Sequence, residues 1–98
     1  MSEVNDLFRH WAKVTEQLTQ AATILGTTLD ARSAATVRSF RDHLSRNEFE
    51  AAWDKLAEAG TFSTTSPGFW DRLAAAARLL EQDGRRVKAE EHAARLRR

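Results

Sequence analysis

Hydrophobic residues recur every three or four positions along most of this chain, which is the spacing of amphipathic helices. The clearest stripe lies between Asp6 and Leu25, and either Asn5 or Asp6 can cap its start. Gly26 then predicts the end of this helix, because glycine adopts the left-handed conformation that closes a helix. The residues of the stripe are Leu7, Trp11, Val14, Leu18, Ala21 and Leu25.

Two further stripes predict a second and a third helix. Asp30 can cap the second helix, and the third is predicted to begin near Asn47 and to close at Gly60. The apolar positions are Ala34, Val37, Phe40 and Leu44 in the second helix, and Phe49, Ala52, Trp53 and Leu56 in the third.

The last part of the chain predicts one strong helix and one weak helix. Ser66 can cap a fourth helix with Pro67 at its first position, where proline is tolerated. Its stripe contains Phe69, Leu73, Ala76, Ala77 and Leu80. Gly84 is predicted to break the pattern before a final helix over residues 85–98. The weak apolar side of that helix, Val87, Ala89, Ala93 and Leu96, predicts a tail that adds little to folding.

These stripes predict an all-α protein, folded as a single small antiparallel bundle of four to five helices. A chain of 98 residues suits one helical domain over residues 1–98, with residues 85–98 as a basic C-terminal helix or tail. One hydrophobic interior must therefore supply most of its stability.

The net charge of +1 hides a strong asymmetry along the chain. Residues 1–84 hold nine basic and twelve acidic side chains, whereas residues 85–98 hold six basic and two acidic ones. Residues 1–6 do not resemble a secretory signal, and no run approaches the ~18 apolar residues that cross a bilayer. With no cysteine in the chain, we expect a soluble cytoplasmic protein without a membrane partner.

The residue types do not predict catalysis. The three histidines, His10, His43 and His92, belong to three different predicted helices and show no metal-binding spacing. No glycine-rich phosphate loop and no glycine-flanked nucleophile motif is present. We therefore expect no enzyme activity, no metal and no cofactor.

A protein-binding surface is the stronger prediction. Trp53 lies within an apolar stripe and is expected in the core, whereas Trp70 lies one position off its stripe and is expected half exposed, as an anchor for a partner. The acidic row of the third helix, which we define as Glu48, Glu50, Asp54 and Glu58, would lie beside Trp70. The candidate partner-binding residues are Glu48, Glu50, Asp54, Glu58, Trp70 and Asp71.

The passage from His43 to Leu56, which contains Asn47-Glu48-Phe49-Glu50-Ala51-Ala52-Trp53, is followed by a loop and a second amphipathic helix. Residues Arg38–Leu80 thereby resemble the MafI-like group of small all-helical immunity proteins, which accompany polymorphic bacterial toxins. The resemblance implies stoichiometric binding that occludes a cognate toxin, without catalysis. It also gives the acidic row a role, since complementary charge would speed the encounter with a basic toxin.

Two other functions remain open from the sequence. The protein could be a self-associating helical scaffold or adaptor, in which the stripe of the first helix forms the seam of a homodimer instead of facing the core. The basic residues after Gly84 could neutralise phosphates in a DNA-binding regulator. Glu90 and Glu91 interrupt this basic segment, and the rest of the chain carries a net negative charge. We therefore regard nucleic acid as the less favoured partner.

Overall fold

The computed structural model describes residues 2–26, 30–63 and 65–98, with side chains from residue 5 onward. Within these residues the protein is all-α, as the stripes predict. The five helices are α1 (Ser2–Leu25), α2 (Ala31–Ser45), α3 (Phe49–Phe62), α4 (Pro67–Leu79) and α5 (Asp83–Leu96).

The predicted cap of α2 is confirmed, α4 begins at the predicted position without the predicted side-chain cap from Ser66, and the predicted start of α1 is wrong. The Asp30 carboxylate accepts a 2.8 Å hydrogen bond from the backbone N–H of Ser33, which caps α2 and lowers the pKa of Asp30. Ser66 precedes α4, and Pro67 is its first residue. By contrast, α1 begins at Ser2, so the predicted caps at Asn5 and Asp6 lie inside the helix.

The second helix ends near residues 45–47 as predicted, but the predicted start of the third helix at Asn47 is wrong. This residue has a φ of 58°, and the N–H of Glu48 donates to the carbonyl of His43 at 3.0 Å. That arrangement is a Schellman cap, in which a left-handed residue terminates the helix. Asn47 therefore ends α2, and α3 begins only at Phe49. The predicted terminator Gly26, with a φ of 87°, is confirmed at the end of α1.

The end of α4 has the same geometry at an unexpected residue. Glu81 has a φ of 58°, and the N–H of Gln82 donates to the carbonyl of Ala77 at 2.9 Å. A left-handed glutamate is unfavourable because its Cβ crowds the following carbonyl. The predicted break at Gly84 is wrong, since this glycine lies within the first turn of α5.

The helices form two antiparallel hairpins, α2–α3 and α4–α5, and α1 packs across α4 and α3. Side-chain contacts fix the antiparallel direction of α1 on α4. Arg72 donates to the side-chain oxygen of Gln17 at 3.3 Å. Lys13, which precedes Gln17 in α1, lines one groove with Leu79, which follows Arg72 in α4. The first turns of α1 consequently continue past the end of α4.

The core lies where α1, α3 and α4 meet. The Trp53 indole is buried and donates a 2.8 Å hydrogen bond to the carbonyl of Leu73, as a buried tryptophan requires. Val14 and Leu18 of α1 have no exposed surface. These two residues belong to this core, so the proposed dimer seam along the whole stripe of α1 is wrong.

Gly60 allows α3 and α4 to approach closely and does not end α3, contrary to prediction. A Cβ added at Gly60 would lie 2.4 Å from the ring of Phe69 and 3.1 Å from Trp70. The helix continues for two further residues, to Phe62. The glycine is needed here because no side chain fits between the two helices.

The final helix is docked, in contrast to the predicted weakly attached tail. Ala89 and Ala93 are buried against the bundle, and the ring of His92 stacks on Trp70 with centroids 4.1 Å apart. Val87 and Leu96, which belong to the predicted weak apolar side, are more than two-fifths exposed. The small alanines let α5 lie close to α4.

We predict that Gly60→Ala lowers the free energy of unfolding by about 1–3 kcal/mol, because the added methyl group overpacks the contact with Phe69. Urea denaturation would measure this change. Gly84→Ala is the matched control, since a Cβ there meets no atom within 4 Å, and we expect it to raise stability by up to about 0.5–1 kcal/mol. Equal effects at the two positions would contradict this account of Gly60.

Candidate functional site

The acidic row of α3 is largely occupied by basic groups of the same chain. Glu48 accepts hydrogen bonds from Nε of Arg46 at 3.0 Å and pairs with Nδ1 of His43 at 2.8 Å. The His43 contact, followed by that of Arg46, lowers the pKa of Glu48. Glu58 pairs with the exposed Lys55 at 3.6 Å, so its ion pair lies within α3 itself.

Arg85 joins the middle of the row to α5. Its guanidinium donates to both carboxylate oxygens of Asp54, each at 2.9 Å, and lies 3.9 Å from Glu50. This bidentate pair raises the pKa of Arg85. The first turn of α5 is thus fixed to α3 by the residues that the sequence analysis assigned to a partner.

Asp71 is also paired within the chain. Arg97 donates to both of its carboxylate oxygens, one of these bonds measuring 3.1 Å, and the interaction lowers the pKa of Asp71. This contact fixes the last turn of α5 to the start of α4. Asp71 and Asp54 therefore hold the two ends of the same helix.

Trp70 is not the half-exposed anchor that we predicted. Only 2% of its surface is accessible, and its Nε1 donates to the hydroxyl of Thr65 at 3.0 Å. Phe69 contacts one side of the indole edge-on, and His92 covers it by stacking. The offset from the stripe failed as a signal of exposure because α5 supplies a second buried face on α4.

The basic tail is partly neutralised in the same way. Arg85 and Arg97 bind α3 and α4, and Arg86 pairs with Glu90 at 2.7 Å and with Asp83 at 3.6 Å. Half of the six basic residues after Gly84 thus have carboxylate partners in the chain. The segregation of charge along the sequence was the signal for this pairing, since an acidic body and a basic tail attract each other.

The histidines do not converge. Each lies on a different helix, as predicted, and the described residues contain no group of three or more histidine and carboxylate side chains able to hold a metal ion. Burial, and then the positive charges of Arg95 and Lys88, lower the pKa of His92. Its imidazole is therefore neutral at pH 7.

A shallow groove of about 390 Å³ adjoins His92 and Trp70. Most of its polar groups already have partners: the Ser63 and Ser33 hydroxyls lie 3.0 Å apart, and Thr65 accepts from Trp70. Among the lining side chains that the structure describes, His92 and Arg95 make no hydrogen bond to another described residue, which is a smaller polar set than usually orients a small ligand.

An exposed aromatic patch lies on the projecting end of α1, where the sequence analysis considered Leu7 and Trp11 only as part of a homodimer seam. We define the α1 patch as Leu7, Phe8 and Trp11. Leu7 is 46% exposed and Phe8 is 58% exposed, and the Phe8 ring meets Trp11 edge-on at 5.7 Å. Trp11 in turn contacts Phe49 at 6.3 Å. Phe8 lies off the apolar stripe, so periodicity gave no signal for it.

No protein family, curated protein or solved structure matches this chain. Among the described residues, no helix is both long enough and apolar enough to cross a membrane.

We predict that the Asp54–Arg85 pair contributes to stability. A double-mutant cycle with Asp54→Asn and Arg85→Gln should give a coupling free energy of about 0.5–1 kcal/mol at low salt, since both groups are partly exposed. Urea denaturation in low salt and in 1 M salt would measure it, and salt should reduce the coupling. Arg98→Gln is the control, because Arg98 forms no ion pair with the described residues. A coupling of zero at low salt would contradict the prediction.

We also predict a pH dependence that originates at His92. Its pKa is lower in the folded protein than in the unfolded chain, so the unfolded chain binds more protons below about pH 6.5. Stability should therefore decrease as the pH falls from about 7 to 5. His92→Gln should remove much of this slope in urea denaturation, and His10→Gln should not. An unchanged slope in His92→Gln would show that other groups cause the dependence.

Proposed function

We propose that this chain is a protein-binding module of the immunity type, which neutralises a cognate bacterial toxin by stoichiometric binding and occlusion in the cytoplasm. The resemblance of residues Arg38–Leu80 to MafI-like immunity proteins motivates the toxin as partner. The observation that carries the proposal of protein binding is the α1 patch, where aromatic surface projects from the bundle.

The composition of the patch suits a protein interface. Aromatic side chains contribute large contact areas with few rotatable bonds, and tryptophan is prominent among interface hot spots. Phe8 is 58% exposed, whereas the Trp11 ring is held between Phe8 and Phe49. This packing supports a preorganised surface, which loses little conformational freedom on binding.

The surroundings of the patch suit a charged rim. Glu48 precedes Phe49 in the chain, and its side chain is fixed by His43 and Arg46. Asp6 and Arg9, both largely exposed, lie on the same helix as the patch. A rim of this kind contributes to orientation and to the association rate more than to affinity.

The acidic row has a smaller role in this proposal than the sequence alone suggested. A basic toxin that approached Glu50 and Asp54 would have to compete with Arg85. Reversing the charges of these residues would also break their ion pairs with Arg85, so a changed association rate would not report steering alone. Glu58 offers a cleaner probe of electrostatic steering because its neighbour Lys55 comes from the same helix.

The test begins with the gene adjacent to this one, which the proposal expects to encode the toxin. In a bacterial host that expresses this toxin, the wild-type chain should restore growth and form a 1:1 complex. Phe8→Asp should weaken the complex by about 30-fold or more, which corresponds to a hot-spot loss of about 2 kcal/mol. Calorimetry would measure the affinity, and circular dichroism would confirm that the variant is folded.

Val87→Asp is the matched control, since Val87 is an exposed hydrophobic residue on a different helix. It should bind and protect like the wild type. A wild-type chain that neither binds the toxin nor protects the host would refute the inhibitor proposal. If both variants protect the host equally well, the toxin binds a surface other than the α1 patch.

A further inference from the structure

The turn between α4 and α5 is short and contains an unfavourable residue. Only Leu80, Glu81 and Gln82 separate the two helices, and Glu81 has a φ of 58°. Asn47 has the same φ at the end of α2, but asparagine tolerates the left-handed region far better than glutamate does. The α4–α5 turn is thus the hairpin turn with the greater conformational penalty.

The sequence across this turn favours a continuous helix. From Arg78 to Asp83 it reads Arg-Leu-Leu-Glu-Gln-Asp, which contains no glycine and no proline. Leucine, glutamate, glutamine and arginine are all good helix formers. If Glu81 became helical, α4 and α5 would join into one helix over residues 67–96, about 45 Å long.

Three contacts that hold α5 use no residue of the turn, whereas Gln82 of the turn also contacts Arg85 at 2.8 Å and Glu50 at 3.3 Å. Arg85 binds Asp54, Arg97 binds Asp71, and His92 stacks on Trp70. The α5 helix of a second copy can make the same contacts. The exchange therefore keeps the docking surface and removes the left-handed glutamate, which is the condition under which proteins swap elements.

The residues around the turn also favour the open form, in which α4 and α5 are one continuous helix. Because α1 runs antiparallel to α4 and extends past its end, a continuous α4–α5 helix would run beside the projecting turns of α1. Leu7 and Phe8 are exposed there in the closed hairpin. An extended helix would cover part of this apolar surface.

We propose that two copies of this chain form a domain-swapped dimer by exchanging α5, with residues 80–82 as the hinge. In the dimer, Arg97 and Arg85 of each protomer bind Asp71 and Asp54 of its partner. The two contacts are equivalent, as two-fold symmetry requires. This dimer uses α5 and does not depend on the proposed toxin binding.

The first test changes the hinge alone. Glu81→Gly accepts the left-handed conformation and weakens a continuous helix, whereas Glu81→Ala does the reverse. After refolding from urea at a series of concentrations, sedimentation would measure the dimer dissociation constant. Glu81→Gly should raise it about 30-fold or more relative to Glu81→Ala, since each dimer contains two hinges. Glu91→Ala, an exposed glutamate on α5, is the control and should leave it unchanged.

The second test identifies the exchanged contact. Asp71→Arg places two arginines together within its own chain, and Arg97→Asp places two aspartates together. When the two variants are refolded together, a swapped heterodimer pairs opposite charges at both of its α5 docking sites. We expect the mixture to form heterodimer, detected by native mass spectrometry, at concentrations where each variant alone remains monomeric.

Any one of three results would overturn the proposal. The first is a wild-type chain and a mixture that stay monomeric up to millimolar concentration. The second is a dimer whose dissociation constant is the same in Glu81→Gly and Glu81→Ala, which would assign self-association to another surface, such as the α1 patch. A mixture without heterodimer, where the wild type does dimerise, would equally exclude the exchange of α5.

Discussion

The close approach of α3 and α4 is the contact on which the rest of the structure depends. Gly60 lets the ring of Phe69 lie against the backbone of α3, and the Trp53 indole donates across the interface to the Leu73 carbonyl. Each hairpin contributes one helix to this contact, so it joins the α2–α3 hairpin to the α4–α5 hairpin. The first helix then packs over the joined pair and buries Val14 and Leu18.

Ion pairs fix α5 on the bundle, in addition to its limited hydrophobic packing. The last helix buries little apart from two alanines, yet it is fixed at both ends by arginine–carboxylate pairs with α3 and α4. Partly exposed pairs of this kind contribute modestly to stability and are weakened by salt. Their position matters more than their strength, because they orient α5 over Trp70 and close that side of the bundle.

The same ion pairs determine which parts of the surface are free to contact a partner. Carboxylates that appear free in the sequence are bound by arginines of α5, and Trp70 lies beneath His92. The exposed apolar surface lies instead at the projecting end of α1, where Leu7 and Phe8 extend past the end of α4. The proposed toxin-binding role therefore rests on aromatic contact at this patch, with charge in a secondary role.

The sequence by itself determined the helical class, a bundle of four to five helices and most of the core, because the spacing of apolar residues depends only on the geometry of a helix. It also determined the caps at Gly26 and Asp30, where local chemistry is sufficient. The tertiary structure alone decided that α4 turns at Glu81 and not at Gly84, and that Gly60 serves a close contact. It also decided that Trp70 is buried while Phe8 is exposed. The physical reason is that each of these four outcomes depends on which other helix lies next to the residue, and local spacing contains no information about that neighbour.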